Sequence, residues 1–183
     1  MNMANYNVVE TTKVSGRCYD FIYNADIENG SLVAKGDIVD GERNIYTAEI
    51  PTATDEVFLV ANPAWDYCEC RSTNQNEENY INVANKVFRA YKLKKHDKFG
   101  VESYGITGGD AISIGDYVTV DGTTVKLNSV GASEPTLAST GFVGKVTEIE
   151  EYGFAYCTGT AGNVGTTGKK VVIEVVKNAT VEA

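Results

Sequence analysis

The chain has 183 residues, enough for one ordinary domain or two small ones, and 43% of them are hydrophobic, which suffices to fill a core. Its formal charge of -9, from 25 acidic and 16 basic residues, makes the average surface repel phosphate, so nucleic acid is not an expected partner. Eighteen Gly against three Pro, with 11 Tyr, argue against a helical bundle and for short strands joined by tight turns, an all-β chain.

The opening residues, MNMANYNVVETTK, contain no basic stretch followed by an apolar run, and no segment reaches membrane-spanning length. Synthesis in a cytoplasm with no membrane partner is the expectation. Tyr6, Val8 and Val9 read as an arm that packs on a neighbour, and residues 6–24 as strand, turn, strand. Asn29-Gly30 and Asp40-Gly41 both accept the positive φ of a tight reversal. Val57 to Ala61 is a continuous apolar run that suits a strand covered on both faces. A long polar excursion, NPAWDYCECRSTNQNEENY, follows, with Trp65, Tyr67 and Tyr80 as its aromatic anchors, and excursions of this length usually have a task.

In the next stretch Val83, Val87 and Tyr91 would suit one helix face, but Val87 to Leu93 reads better as a strand because it enters a turn and leads into KFGVESYGI. Lys86, Arg89, Lys92, Lys94, Lys95 and Lys98 gather basic charge here in an otherwise acidic chain. They read either as a solvated strand and turn or as a patch that meets an acidic surface on a protein partner. Further on, a two-residue Asp121-Gly122 turn would pair Val120 with Thr123 and Val118 with Val125, placing Val118, Val120, Val125 and Leu127 on one face. FVGKVTEIEEYGFAYCTG predicts two strands broken near Glu150 to Gly153, and KKVVIEVVKN a nearly unbroken apolar strand that belongs mid-sheet. Taken together the pattern predicts small barrel or sandwich subdomains, residues 1–104 with the arm and excursion and residues 105–183 barrel-like, or a single domain.

GDYVTVDG has a near copy at GDIVDG, residues 36–41, and a fainter one at HDKFGV, residues 96–101. In each, Asp is expected to bond backbone amides at a corner while the following apolar residue starts a core strand. Their spacing is too irregular for a propeller or solenoid.

Catalytic chemistry finds little purchase. His96 is the one histidine, set in a predicted turn, which leaves a Ser-His-Asp or Cys-His device improbable. Cys18, Cys68, Cys70 and Cys157 lack the paired spacing of a zinc ribbon and read as free thiols. Carboxylates are plentiful, Asp66 with Glu69 among them, and Trp65 with Asp66 could be drawn as part of a glycosidase or sugar-binding site with Tyr67 beside them, although adjacent acids in polar loops are mostly solvated surface. GNVGTTGKK departs from a phosphate loop, because Asn163 stands at the first Gly position and Lys170 at the hydroxyl position. The Asn178-Ala-Thr180 sequon is without meaning in an unsecreted protein. No catalytic residue, metal or cofactor is therefore expected.

The segments GDIVDGERNIYTAEI, VFRAYKL, GDYVTVDG, FVGKVTEIE and GKKVVIEVVKN, taken in order, resemble the β-rich decoration proteins of tailed-bacteriophage heads. The resemblance implies a non-enzymatic virion protein on the capsid exterior, made in the host cytoplasm, which binds the major capsid protein and stabilises the assembled head. On that reading the interface candidates are Tyr6, Val8, Trp65, Tyr67, Arg89, Lys92, Lys94 and Lys95, with self-association as a further contact. A head fibre base or tail component, and a carbohydrate-binding module or glycosidase-like protein, are the alternatives.

Overall fold

The computed structural model describes residues 9–63, 80–152 and 168–181, and they form an all-β protein of two sheets. In chain order the strands are β1 (Glu10–Lys13), β2 (Cys18–Ile22), β3 (Leu32–Ile38), β4 (Ile45–Glu49), β5 (Phe58–Val60), β6 (Val87–Lys92), β7 (Lys98–Glu102), β8 (Ile106–Thr107), β9 (Tyr117–Val120), β10 (Leu127–Gly131), β11 (Phe142–Tyr152) and β12 (Gly168–Asn178). Strands β2-β4-β3-β5-β6 close into a barrel, because β2 pairs with both β4 and β6. The other seven form one sheet in the order β1-β7-β12-β11-β9-β10-β8. The chain passes from barrel to sheet between Lys92 and Lys98, and β1 joins the sheet from the other end of the sequence.

Two cores result, and one pair of strands serves both. Inside the barrel Phe21 packs on Phe58 and Phe88 with ring centroids 5.3 and 6.2 Å apart, and Val33 joins them. The next residues along the same strands, Leu32 on β3 and Leu59 on β5, face the other way and pack with Phe99, Val118, Phe142 and Ile173 of the sheet. Alternation within a strand sends adjacent side chains to opposite faces, so a strand lying between two cores must be apolar at every position. This is why Val57 to Val60 is an unbroken buried run. Polar contacts reinforce the junction: the Asn178 side chain accepts from Val57 N–H at 2.8 Å and donates to the carbonyls of Val57 and Leu93, each at 2.9 Å. The amide of the sequon is thereby committed to holding β12 against the barrel.

Strand β12 lies between β7 and β11, the central place its apolar sequence predicts. Strand β11 runs through Glu150 without a break; the second strand predicted beyond it falls outside the described residues.

The hairpin of residues 117–131 departs from the predicted register. Leu127 pairs with Val120 and Ser129 with Val118, a slip of four residues, because Asp121 to Lys126 form a longer loop closed by Asp121 N–H to the Lys126 carbonyl and by Thr124 Oγ1 to Asp121. An even slip preserves the face of each side chain, so Val118, Val120 and Leu127 are still buried in one core. Val125 does not join them; it packs against the barrel cluster, and its carbonyl accepts from Leu32 N–H at 2.7 Å.

Two of the three repeated motifs are the predicted corners, and their geometry is the same. Asp97 Oδ2 accepts from Lys94 N–H and Asp116 Oδ2 from Ser113 N–H, both at 2.8 Å, while each Asp N–H closes the turn onto that same residue's carbonyl. The residue before each Asp has positive φ: His96 at 73° and Gly115 at 96°. Each corner then bonds one central strand, His96 and Asp97 clasping Val175 of β12 and Gly115 and Asp116 clasping Val146 of β11. The GDIVDG copy behaves otherwise. Gly36 and Asp37 lie within β3, and the reversal is at Asp40-Gly41, where Gly41 has φ 81°. A further corner without the signature occurs at Thr52 to Asp55, closed by the same pair of bonds.

Candidate partner-binding surface

The alternation of β6 divides the basic residues that the sequence singles out. Phe88 and Ala90 point into the barrel, Arg89 points to solvent, and Lys92 is held by Glu56 at 2.7 Å. Lys94 and Lys95 lie exposed on the corner that starts β7. Among the described residues Lys92 is thus paired, whereas Arg89, Lys94 and Lys95 are exposed and make no ion pair. Tyr6, Val8, Trp65 and Tyr67 lie outside the described residues, as do Asp66, Glu69, Cys68, Cys70 and Cys157.

Strand pairing places other charges beside Lys94 and Lys95. Lys13 on β1 stands opposite Lys98 on β7, Lys98 opposite Glu174 on β12, Glu174 opposite Lys145 on β11, and Lys145 opposite Tyr117 on β9. Residues directly opposite in a ladder share a face, so these five side chains form one row across the outside of the sheet. Glu174 binds Lys98 and His96, each at 3.4 Å, and His96 first and then Lys98 hold its carboxyl below the usual range. Lys145 sits 5.3 Å from the centre of the Tyr117 ring. Among the described residues Lys13, Lys94, Lys95 and Lys145 make no ion pair.

The turn carrying Lys94 and Lys95 is tied down through Asp97. Asp97 is only 5% exposed, and besides Lys94 N–H its carboxylate accepts Ser15 N–H at 3.1 Å and Ser15 Oγ–H at 2.7 Å, which stitches the segment after β1 to the corner.

The opposite end of the same face has the other sign. Glu148 and Glu150 of β11 and Glu10 of β1 are exposed there. Lys170 reaches Glu10 at 2.8 Å and Glu150 at 2.7 Å, crossing β7 above Gly100, whose missing side chain leaves the passage: a Cβ would stand 3.3 Å from Lys170 Cδ and from Glu10 Cβ. The hydrogen bond from Lys170 keeps the Glu10 carboxyl below its ordinary range, and Glu10 followed by Glu150 raises the Lys170 ammonium.

At the barrel, the two flanks of the polar excursion are tied together. Asn62 Nδ2 donates to the Tyr80 hydroxyl at 2.6 Å, and Asn82 Nδ2 donates to the Ile27 carbonyl and to Asn29 Oδ1. A shallow groove beside this tie is lined in part by Ile81, Val83 and Val87, all partly exposed. Cys18 is a free, exposed thiol whose pKa desolvation raises, against a smaller lowering by Arg89.

The row of Lys13, Lys98 and Lys145 was not legible in the sequence, because its members are up to 132 positions apart and only the strand order brings them together. No protein-family model matches the chain, and no curated protein matches it. Among solved structures the chain is similar to the head fiber gp8.5 N base of bacteriophage phi29, with a TM-score of 0.39 and 10% sequence identity over 91% of this chain and 98% of that one. A likeness at that level carries no functional assignment.

Proposed function

We propose that the chain is a non-enzymatic structural protein of a tailed-phage virion that adheres to the outer surface of the capsid and reinforces the assembled head. The observation that carries this reading is the ordered resemblance of five segments to head decoration proteins. Those segments contribute strands to both sheets: β3 and β4, β6, β9, β11 and β12.

The physical logic agrees. A protein that binds only the assembled shell stabilises that state by its binding free energy. Contacts repeated over a lattice add through multivalency, so each can be modest. Such a role calls for a stiff scaffold with one polar adhesive face, and the shared core, the clasped corners and the charged outer row supply these elements.

Gradient sedimentation of mature heads from the phage encoding this chain tests the proposal. The chain is expected to travel with the heads, and heads lacking it should lose their contents at lower temperature. Consistent absence from purified heads contradicts it. Retention on particles with tails but not on tail-less heads would make it a tail component. Sugar binding on a glycan array that is lost in Trp65→Ala would favour the carbohydrate-binding alternative.

A further inference from the structure

We infer that the row formed by Lys13, Lys98 and Lys145, with Lys94 and Lys95 at its corner, docks a carboxylate-rich protein surface. The inference rests on the adhesion proposed above and names the chemistry of the surface that is met. In a chain of charge -9, four of these five lysines make no ion pair among the described residues, although acidic residues outnumber basic ones across the molecule. The fifth, Lys98, shares Glu174 with His96.

The arrangement favours a compact acidic patch over a long polyanion. From β1 to β11 the row crosses three strand spacings, roughly 14 Å, which matches a cluster of carboxylates on a folded partner. Along the strands the same face turns acidic within a few residues, at Glu10, Glu148 and Glu150. A nucleic acid following the face would meet those carboxylates, whereas a local patch would not. The acidic end also fixes orientation, since an acidic partner shifted along the strands meets like charge. The corner is anchored through the buried Asp97, so the two exposed lysines are presented on ordered backbone.

Fluorescence anisotropy of the full chain with a labelled oligoglutamate peptide of about five residues, matched to the span of the row, and with a short DNA duplex tests the chemistry. The combined variant Lys94→Gln, Lys95→Gln, Lys145→Gln should weaken peptide binding by about tenfold or more and flatten its salt dependence. Glu148→Gln should leave it equal or tighter. All four positions are exposed, so these variants are expected to fold, and their thermal transitions check that. Equal peptide binding by the triple lysine variant, or duplex binding at least as tight as peptide binding, would overturn the inference. A second arm uses purified heads. If the wild-type chain and the triple variant are retained alike, the inference fails and the adhesion stands. If the wild-type chain is absent from heads, the adhesion fails, and the peptide titration still decides what the row binds.

Discussion

His96 and Gly115 occupy the same place in two equivalent corners, yet only one is glycine. A left-handed backbone costs an L-residue about 1–2 kcal/mol, while glycine loses roughly 0.5–1 kcal/mol of that advantage to unfolded-chain entropy. His96→Gly is therefore expected to be neutral to about 1 kcal/mol stabilising, and Gly115→Ala destabilising by about 1 kcal/mol, in urea denaturation. Gly16 is constrained differently, by contact: a Cβ there would fall 1.4 Å from the Lys92 carbonyl oxygen. Gly16→Ala should cost about 1–3 kcal/mol, since backbone must move to admit the methyl group. Asn178→Ala removes three hydrogen bonds and leaves the Val57 and Leu93 backbone without them; a loss of about 2–4 kcal/mol is expected. What the sequence displayed at this scale was chemistry without address. Asp just ahead of a core strand does mark a corner at Asp97 and Asp116, but the matching Asp37 sits inside a strand, because the turn there is made three residues later.

Strand β1 is the element most open to change. It pairs with β7 at Glu10 and Lys13, with an irregularity between them, and its outer edge has no partner among the described residues. Its ionic tie is Lys170 to Glu10. The Glu10 carboxyl is lowered in the folded state, so the stabilisation is present above the ordinary value of 4.5 and is lost as pH falls through the lower folded value. The Lys170 ammonium is raised, so its contribution is complete below 10.5 and is lost as pH climbs through the higher folded value. Because Glu10 is well exposed, the tie is expected to contribute no more than about 1 kcal/mol. Lys170→Met should speed hydrogen exchange in β1 at neutral pH and abolish its acid sensitivity, with exchange in β12 unchanged. At this scale the sequence was most readable. The unbroken apolar runs announced β5, which is buried on both faces, and β12, which has a strand on either side, and the alternation of residues 117–127 announced a hairpin in which Val118, Val120 and Leu127 keep their face through a four-residue slip. The slip itself was hidden, since Asp121-Gly122 is equally at home in a two-residue turn and in the longer loop that Thr124 closes.

For the whole molecule, the consequence of sharing β3 and β5 between two cores is cooperativity. Leu32 and Leu59 belong to the sheet's core although their strands belong to the barrel. Leu59→Ala is expected to destabilise by about 2–5 kcal/mol, with barrel and sheet still melting in one transition; two separated transitions would show that the sheets are energetically independent. The closure of β2 onto β6, and the insertion of β1 into a sheet otherwise built from the second half of the chain, were not legible, because neither follows from local pattern. The outer row shares that origin. It is written in single lysines on three strands and becomes a surface only when β1-β7-β12-β11 are set side by side. The sequence did mark Lys94, Lys95 and Lys98, the part of this surface that is contiguous in the chain.

The central claim is adhesion to an assembled shell, and the most direct measurement is quantitative sedimentation of the purified chain with mature heads that lack it. The account predicts saturable co-migration, weakened by salt and by replacing Lys94, Lys95 and Lys145 with glutamine. Failure of the wild-type chain to migrate with heads at any concentration would contradict it.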